Sequence, residues 1–227
     1  MAKVKASSTT LSYLPAYNSG DAVKLIGAIS SIGEVKLTSE EINVTDLDSI
    51  YAEFIQGKRD SGELPITGFH DKTNTGQAQM RTLHTSGASG YFWITFPDST
   101  VIAFTAIVKG HKIGSADVNG AVGFGAVLRI TGIVQVISPK PAIAQTKAGG
   151  QTATLDSTAT ALTGTPTYQW YSNEENNYTT PTIVEGETSA TYTTGALSEG
   201  TYYYFCVITV SGYRAINSQI HVITVTA

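Results

Sequence analysis

The 227-residue sequence predicts a mostly β protein: a β-sheet meander carrying one short helix, followed by a second, all-β region. Three observations predict it. Charged residues make up only 14%, and 22 glycines stand against 7 prolines, a balance that suits many turns between strands rather than long solvated helices. Tyr91-Phe92-Trp93-Ile94-Thr95-Phe96 alternates so that Phe92, Ile94 and Phe96 share one face, the period of a strand. Beyond residue 143, Thr and Tyr dominate, and both favour strands.

The elements follow in order. Residues 1–20 are largely polar, carry Tyr13, Leu14 and Tyr17, and are expected to form a flexible arm that orders only on assembly. Residues 22–29 and 34–44 read as strands separated by Ser31-Ile32-Gly33. Residues 50–55 fit neither period. A loop is expected at Gln56, Gly57, Lys58, Arg59, Asp60, Ser61 and Gly62, bounded by glycines, and then a strand over 64–70. The helix falls at 75–84: Asn74 or Thr75 can cap it, Ala78, Met80 and Leu83 give partial helical spacing, and Gly87 ends it. After the strand at 91–96, Pro97-Asp98-Ser99-Thr100 is a turn. A strand over 101–109 and a loop over 110–120, containing His111, Lys112, Asp117 and Asn119, lead to a strand over 122–136. Pro139-Lys140-Pro141 disfavours helix and gives a stiff joint. The expected division is therefore a first domain at 1–138, a linker at 139–142 and a second domain at 143–227.

Charge separates the two regions. Residues 1–142 hold twelve basic and twelve acidic side chains; residues 143–227 hold two basic and six acidic. Neither resembles a nucleic-acid grip, which needs clustered Lys and Arg to displace counterions from phosphates. Cys206 is the only cysteine, so no intrachain disulfide is expected. No apolar run of signal-peptide or membrane-spanning length is found, so no membrane association is expected.

No residue pattern points to catalysis. His70-Asp71, His84, His111 and His221 lack metal-ligand spacing and are read as ordinary surface or half-buried histidines; no metal or cofactor is expected. Gly120-Ala121-Val122-Gly123-Phe124-Gly125 lacks the Lys-Ser/Thr ending of a phosphate loop and precedes a strand, so its glycines are read as a place of close strand packing. Asp46-Leu47-Asp48-Ser49 lacks the remaining ligands of a calcium loop and is read as turn or cap carboxylates. Asn43-Val44-Thr45 and Asn177-Tyr178-Thr179 are read as chance acceptor motifs.

Five pieces stand in order: Val44-Thr45-Asp46-Leu47-Asp48; Gly57-Lys58-Arg59-Asp60-Ser61-Gly62-Glu63-Leu64; the helical stretch 77–84; Phe96-Pro97-Asp98-Ser99-Thr100; and the hairpin strand 122–134. Over residues 27–137 this layout resembles the major tail tube proteins of long-tailed, lambda-like phages. One departure is Ser99, where that family usually has Gly. The resemblance implies a tail-tube β-sandwich or half-barrel that closes into rings, most often hexamers, and stacks into a tube through which double-stranded DNA passes. It places the inter-subunit, inter-ring loop at Gln56 to Gly62. It implies self-association as the main partnership, with tape-measure, tail-terminator and baseplate or tail-tip proteins as further partners. It also implies residence in the virion tail after synthesis in the host cytoplasm, and no enzymatic activity.

In the second region, Tyr168-Gln169-Trp170-Tyr171 and Thr201-Tyr202-Tyr203-Tyr204-Phe205-Cys206-Val207 resemble strands C and F of an immunoglobulin-like sandwich. The resemblance implies Trp170, Tyr204 and Cys206 as core residues. Tyr204 would be the tyrosine whose hydroxyl reaches back to the backbone, and Leu155 would stand where the first cysteine of the usual pair is missing. Decoration of the tube exterior and weak binding of cell-surface glycan follow as expectations. The competing reading is a monomeric β-sandwich adhesin or carbohydrate-binding module. A glycosidase is a third, but no paired carboxylate motif supports it.

Overall fold

The computed structural model describes residues 7–17, 19–114 and 120–227. The protein is mostly β with one α-helix among the described residues. In chain order the elements begin with β1 (Thr10–Leu14), β2 (Lys24–Ile26), β3 (Ile29–Ile32), β4 (Thr38–Asn43), β5 (Phe54–Asp60) and β6 (Glu63–Phe69). Helix α1 (Thr75–Ser86) precedes β7 (Ser89–Thr95), β8 (Val101–Ile113) and β9 (Gly123–Pro139). The remainder is β10 (Gln145–Ala148), β11 (Thr154–Asp156), β12 (Ala159–Ala161), β13 (Thr167–Asn173), β14 (Thr182–Ile183), β15 (Thr191–Thr193), β16 (Gly200–Thr209), β17 (Ile216–Asn217) and β18 (His221–Thr226).

The chain forms two compact units. One comprises Leu11–Trp93 and Phe104–Val134; the other comprises Ile94–Ala103 and Gln135–Ala227, together with the described residues before Leu11.

The first unit is built on a sheet of order β2-β1-β7-β8-β9-β6-β3. Its end strands, β2 and β3, are joined by Gly27 and Ala28 alone. Laid flat, seven strands spaced about 4.8 Å apart would separate the two ends by roughly 29 Å. Two connecting residues span only about 10 Å. The sheet must therefore curl until its ends meet at this corner, giving a nearly closed barrel. Ala28 takes the left-handed conformation there (φ 55). A Cβ on Gly68 would lie 2.2 Å from the Ala28 carbonyl oxygen, so only glycine admits the approach of β6.

Alternation fills the barrel. In β6, Leu64, Ile66 and Gly68 face inward between exposed neighbours, and the strand pairs with β9 from Glu63↔Arg129 to Phe69↔Gly123. Phe92 and Phe104 stack with ring centroids 6.2 Å apart, and Tyr13 packs on Phe92 at 5.2 Å. Helix α1 begins where Asn74 accepts from the Gln77 amide and ends at Gly87, whose left-handed backbone (φ 67) lets its N–H bond Leu83. Its face carries Gly76, Gln77, Met80 and Leu83 inward. A side chain at Gly76 would strike the Leu25 carbonyl oxygen at 2.3 Å, so the glycine lets α1 seat on β2.

In the second unit, one sheet runs β10-β18-β16-β13-β14, with β10 parallel to β18 and β17 beside β16. The pair β11–β15 forms a separate short sheet. Tyr192 of β15 meets Trp170 of β13 at 5.8 Å and Tyr204 of β16 at 5.6 Å, so the two sheets face each other across an aromatic core. Trp170 and Cys206 are completely buried, and Tyr204 nearly so. The Trp170 indole donates to the Ser189 carbonyl at 2.8 Å, so burial leaves its N–H satisfied. Burial pushes the Cys206 thiol up to about 12, leaving it an inert core group. Strand β12 pairs with the end of β9, Ala159↔Pro139 to Ala161↔Ile137, and the buried Gln135 side chain exchanges hydrogen bonds with the Thr163 backbone at 2.5 and 2.9 Å.

Several expectations need correction. The polar arm at 1–20 is not free throughout: Thr10–Leu14 is a strand inside the sheet, because Leu11, Tyr13 and Leu14 bury their side chains. Ser31-Ile32, expected to separate strands, lies in β3, and the reversal falls at Gly27-Ala28. Pro139, expected in the linker, is the last residue of β9. The hydroxyl that reaches upstream at the start of β16 belongs to Tyr202, which donates to Ser198 O at 3.1 Å, rather than to Tyr204.

Candidate assembly surface

The segment expected as a loop at Gln56 to Gly62 is strand through Asp60; only Ser61 and Gly62 turn. Gln56, Gly57, Lys58, Arg59 and Asp60 pair with β4 in a two-stranded ribbon of its own, Thr38↔Asp60 to Asn43↔Phe54, with a register shift between Ser39 and Glu41. All of β4 and most of β5 are exposed. The loop of this hairpin is instead the segment 44–53.

A lone two-stranded ribbon is marginal in water, and local bonds hold this one. Asn43 Oδ1 accepts from Thr45 N at 2.9 Å, and Thr45 Oγ1 accepts from Glu53 N at 2.8 Å. Asp46 Oδ1 accepts from Ser49 Oγ at 2.7 Å and from Asp48 N at 3.1 Å, and these bonds hold its carboxyl below the usual range. Asp46 is thus a turn carboxylate, with no helix following it. At the base, Gly62 takes the left-handed conformation (φ 73), and Asp60 accepts from Gly62 N at 2.8 Å and from Arg129 at 2.9 Å. Those bonds depress the Asp60 carboxyl in turn.

The apolar content of the arm is misplaced for a free monomer. Leu47 (105% of its reference exposure), Ile50 (91%) and Tyr51 (82%) stand in water at the tip, with Ile42, Val44, Phe54 and Ile55 exposed along the ribbon. Large apolar side chains exposed in such number on one hairpin are what a docking surface requires. Among the described residues, no ion pair involves Lys58 or Arg59. The sheet ends β2 and β3 are each paired on one side only among the described residues, and such edges invite pairing with another chain.

Of the other site residues, His111 and Lys112 lie inside β8 rather than in a loop, because that strand extends to Ile113; Asp117 and Asn119 lie outside the described residues. Trp170, Tyr204 and Cys206 come together in the core of the second unit. Sequence reasoning missed Leu47, Ile50 and Tyr51. The signal available was their interleaving with Asp46, Asp48 and Glu53 at a spacing that matches neither a strand nor a helix. Among the described residues, no group of three or more His, Cys, Asp or Glu could hold a metal, and no helix is long and apolar enough to cross a membrane.

A family model described as a domain of unknown function (DUF8696) matches residues 141–227. No curated protein matches the chain by sequence. Among solved structures, the chain is similar to a protein of the tail of an empty GTA particle, at 18% identity over 55% of this chain and 92% of that one, with a TM-score of 0.46. It is similar to the SPP1 tail tube at 16% identity, over 57% and 77%, TM-score 0.46. A protein of the anti-feeding prophage baseplate is similar at 14% identity, over 60% and 97%, TM-score 0.46. All three TM-scores lie below 0.5, so a functional reading has to stand on the exposed arm and the sheet edges.

Proposed function

We propose that the protein is a structural virion component that polymerises as stacked rings into a phage tail tube, the conduit for DNA delivery. The exposed apolar arm carries this reading. A chain that leaves Leu47, Ile50 and Tyr51 in water beside a barrel whose end strands β2 and β3 are each paired on one side only among the described residues is suited to being covered by copies of itself. Edge-to-edge joining would continue the sheet around a ring by a heterologous contact, and the arm would bridge to the next ring. The five ordered sequence pieces agree with that assignment. Twelve basic and twelve acidic residues up to 142 suit a lumen that passes DNA without gripping it.

The second unit, an immunoglobulin-like sandwich in this reading, would decorate the exterior and bind cell-surface glycan weakly. Tape-measure, terminator and baseplate or tail-tip proteins would complete the tail. A monomeric adhesin leaves the arm without a role.

Sedimentation velocity of the wild type against a Leu47→Asp, Ile50→Asp variant tests this. The expected result is large, concentration-dependent species for the wild type and a folded monomer for the variant. A wild type that stays monomeric at every concentration and pH overturns the reading.

A further inference from the structure

Three of the four histidines gather on one side of the barrel. His70 lies just beyond β6, His84 in the last turn of α1, and His111 in β8. With Lys72 and Arg81, His70 and His111 line a pocket that also includes Phe124 and Ile113. The His111 ring meets Phe124 edge-on at 5.7 Å, and His84 Nδ1 is 3.1 Å from the Val108 carbonyl oxygen.

The pocket is basic before any histidine gains a proton. Among the described residues its one carboxylate, Asp71, is occupied by Thr73, accepting from N at 2.9 Å and from Oγ1 at 2.7 Å. The 70–74 loop thus presents His70, Lys72 and Asp71; α1 presents Arg81 and His84; β8 presents His111; β9 brings the uncharged Phe124. Burial holds His111 below its usual value, and the positive neighbours His84, Arg81 and His70 push the same way.

The arm has the complementary chemistry. Between residues 37 and 57 it carries Glu40, Glu41, Asp46, Asp48 and Glu53 and no Lys or Arg. Its tip interleaves carboxylates with exposed Leu47, Ile50 and Tyr51, so it offers acid and apolar surface together. The tip does not occupy its own pocket, because those apolar side chains stand in water.

We propose that the His70, Lys72, Arg81 and His111 pocket is the socket for the arm tip of a second copy. Asp46 and Asp48 would meet Lys72 and Arg81, while Leu47 or Ile50 would cover the exposed Ile113. This rests on the self-assembly reading above. Seating carboxylates beside His111 favours its protonated form, so assembly takes up protons and tightens as pH falls toward and below the usual histidine value of 6.5.

A cysteine pair tests the socket. Asp48→Cys with Lys72→Cys, oxidised in the full chain, should give a ladder beyond dimer on non-reducing gels, whereas each single variant stops at dimer. Cys206 is fully buried and stays silent. In parallel, Lys72→Glu with Arg81→Glu should raise the critical concentration at least tenfold, and adding Asp46→Lys with Asp48→Lys should restore it, with folding checked by circular dichroism. Normal polymers without a ladder, or an unaltered critical concentration in the folded charge variant, overturn the socket and leave the self-assembly reading standing. A wild type that never polymerises overturns both.

Discussion

Gln77 Nε2 donates to the Gly27 carbonyl oxygen at 3.0 Å, tying helix α1 to the two-residue corner where the ends of the curled sheet meet. The same nitrogen donates to Phe69 O at 2.8 Å, and Oε1 accepts from Asp71 N at 3.0 Å. One buried amide thus satisfies three backbone groups from β6, the following loop and the corner. Gln77→Leu keeps the volume and removes all three bonds. Unpaired buried groups cost about 1–3 kcal/mol each when water cannot reach them. The expected loss is about 3 kcal/mol or more for the three groups together, read by urea denaturation, with the α1 amides exchanging faster with deuterium.

The turn at Phe96-Pro97-Asp98-Ser99-Thr100 holds Ser99 at φ 66, closed by Ser99 N to Phe96 O at 3.0 Å and Phe96 N to Thr100 O at 2.9 Å. That conformation explains why glycine is the usual residue there in the resembling family. Ser99→Gly relieves the left-handed strain, which is worth about 1–2 kcal/mol, but frees the unfolded chain by about 0.4–1 kcal/mol. The Ser99 side chain also meets Tyr178. Thermal melting should therefore show a gain of at most about 1 kcal/mol; a clear loss would show that the Tyr178 contact outweighs the strain.

His221 makes the second unit acid-labile. It is buried against Trp170, with ring centroids 5.5 Å apart, and shares a 3.0 Å hydrogen bond with Ser157 Oγ. Burial lowers its pKa to about 4, against partial compensation from Asp156. The unfolded chain binds a proton below about pH 6.5, and the folded chain resists it down to about 4. Stability is therefore full above pH 6.5 and falls as pH drops toward 4, by about 3 kcal/mol over that window. His221→Gln should flatten this slope in urea titrations at pH 7, 6, 5 and 4. Below that window, Asp156 takes over. Hydrogen bonds from Lys140 and Thr158 hold it down to about 2, so its contribution persists above the usual carboxylate range and disappears as pH falls toward 2.

Lys58 and Arg59 sit on exposed β5, while the neighbouring Asp60 is engaged by Arg129 within its own chain. Reversing both charges with Glu should leave the melting temperature within about 2 °C of wild type, since exposed charges contribute little to stability. Tube growth should stop. Normal growth would overturn the proposed inter-subunit role of Lys58 and Arg59.

The fold was legible where a local rule acted alone. Asn74 and Gly87 bracket α1 because capping needs only neighbouring backbone, and β7 reads out because its alternation reflects one buried face. The arm was illegible for the opposite reason. Neither face of β4 or β5 is buried in one copy, so no alternation marks Gln56 to Asp60 as strand, and glycine and charge there imitate a loop. β1 hides in a polar stretch because only the sheet, not its neighbours in sequence, selects Leu11 and Leu14 for burial. The histidine cluster could not be read at all, since residues 70 and 111 come to line one pocket, with residue 84 nearby, only after folding.

The most direct measurement is negative-stain electron microscopy of the concentrated full-length protein beside a variant whose arm tip, residues 44–53, is replaced by Asn-Gly. The expected images are stacked rings with outward knobs for the wild type, and dispersed particles, still folded by circular dichroism, for the variant. Tubes that form equally well without the tip would contradict the assignment of the arm as the assembly element.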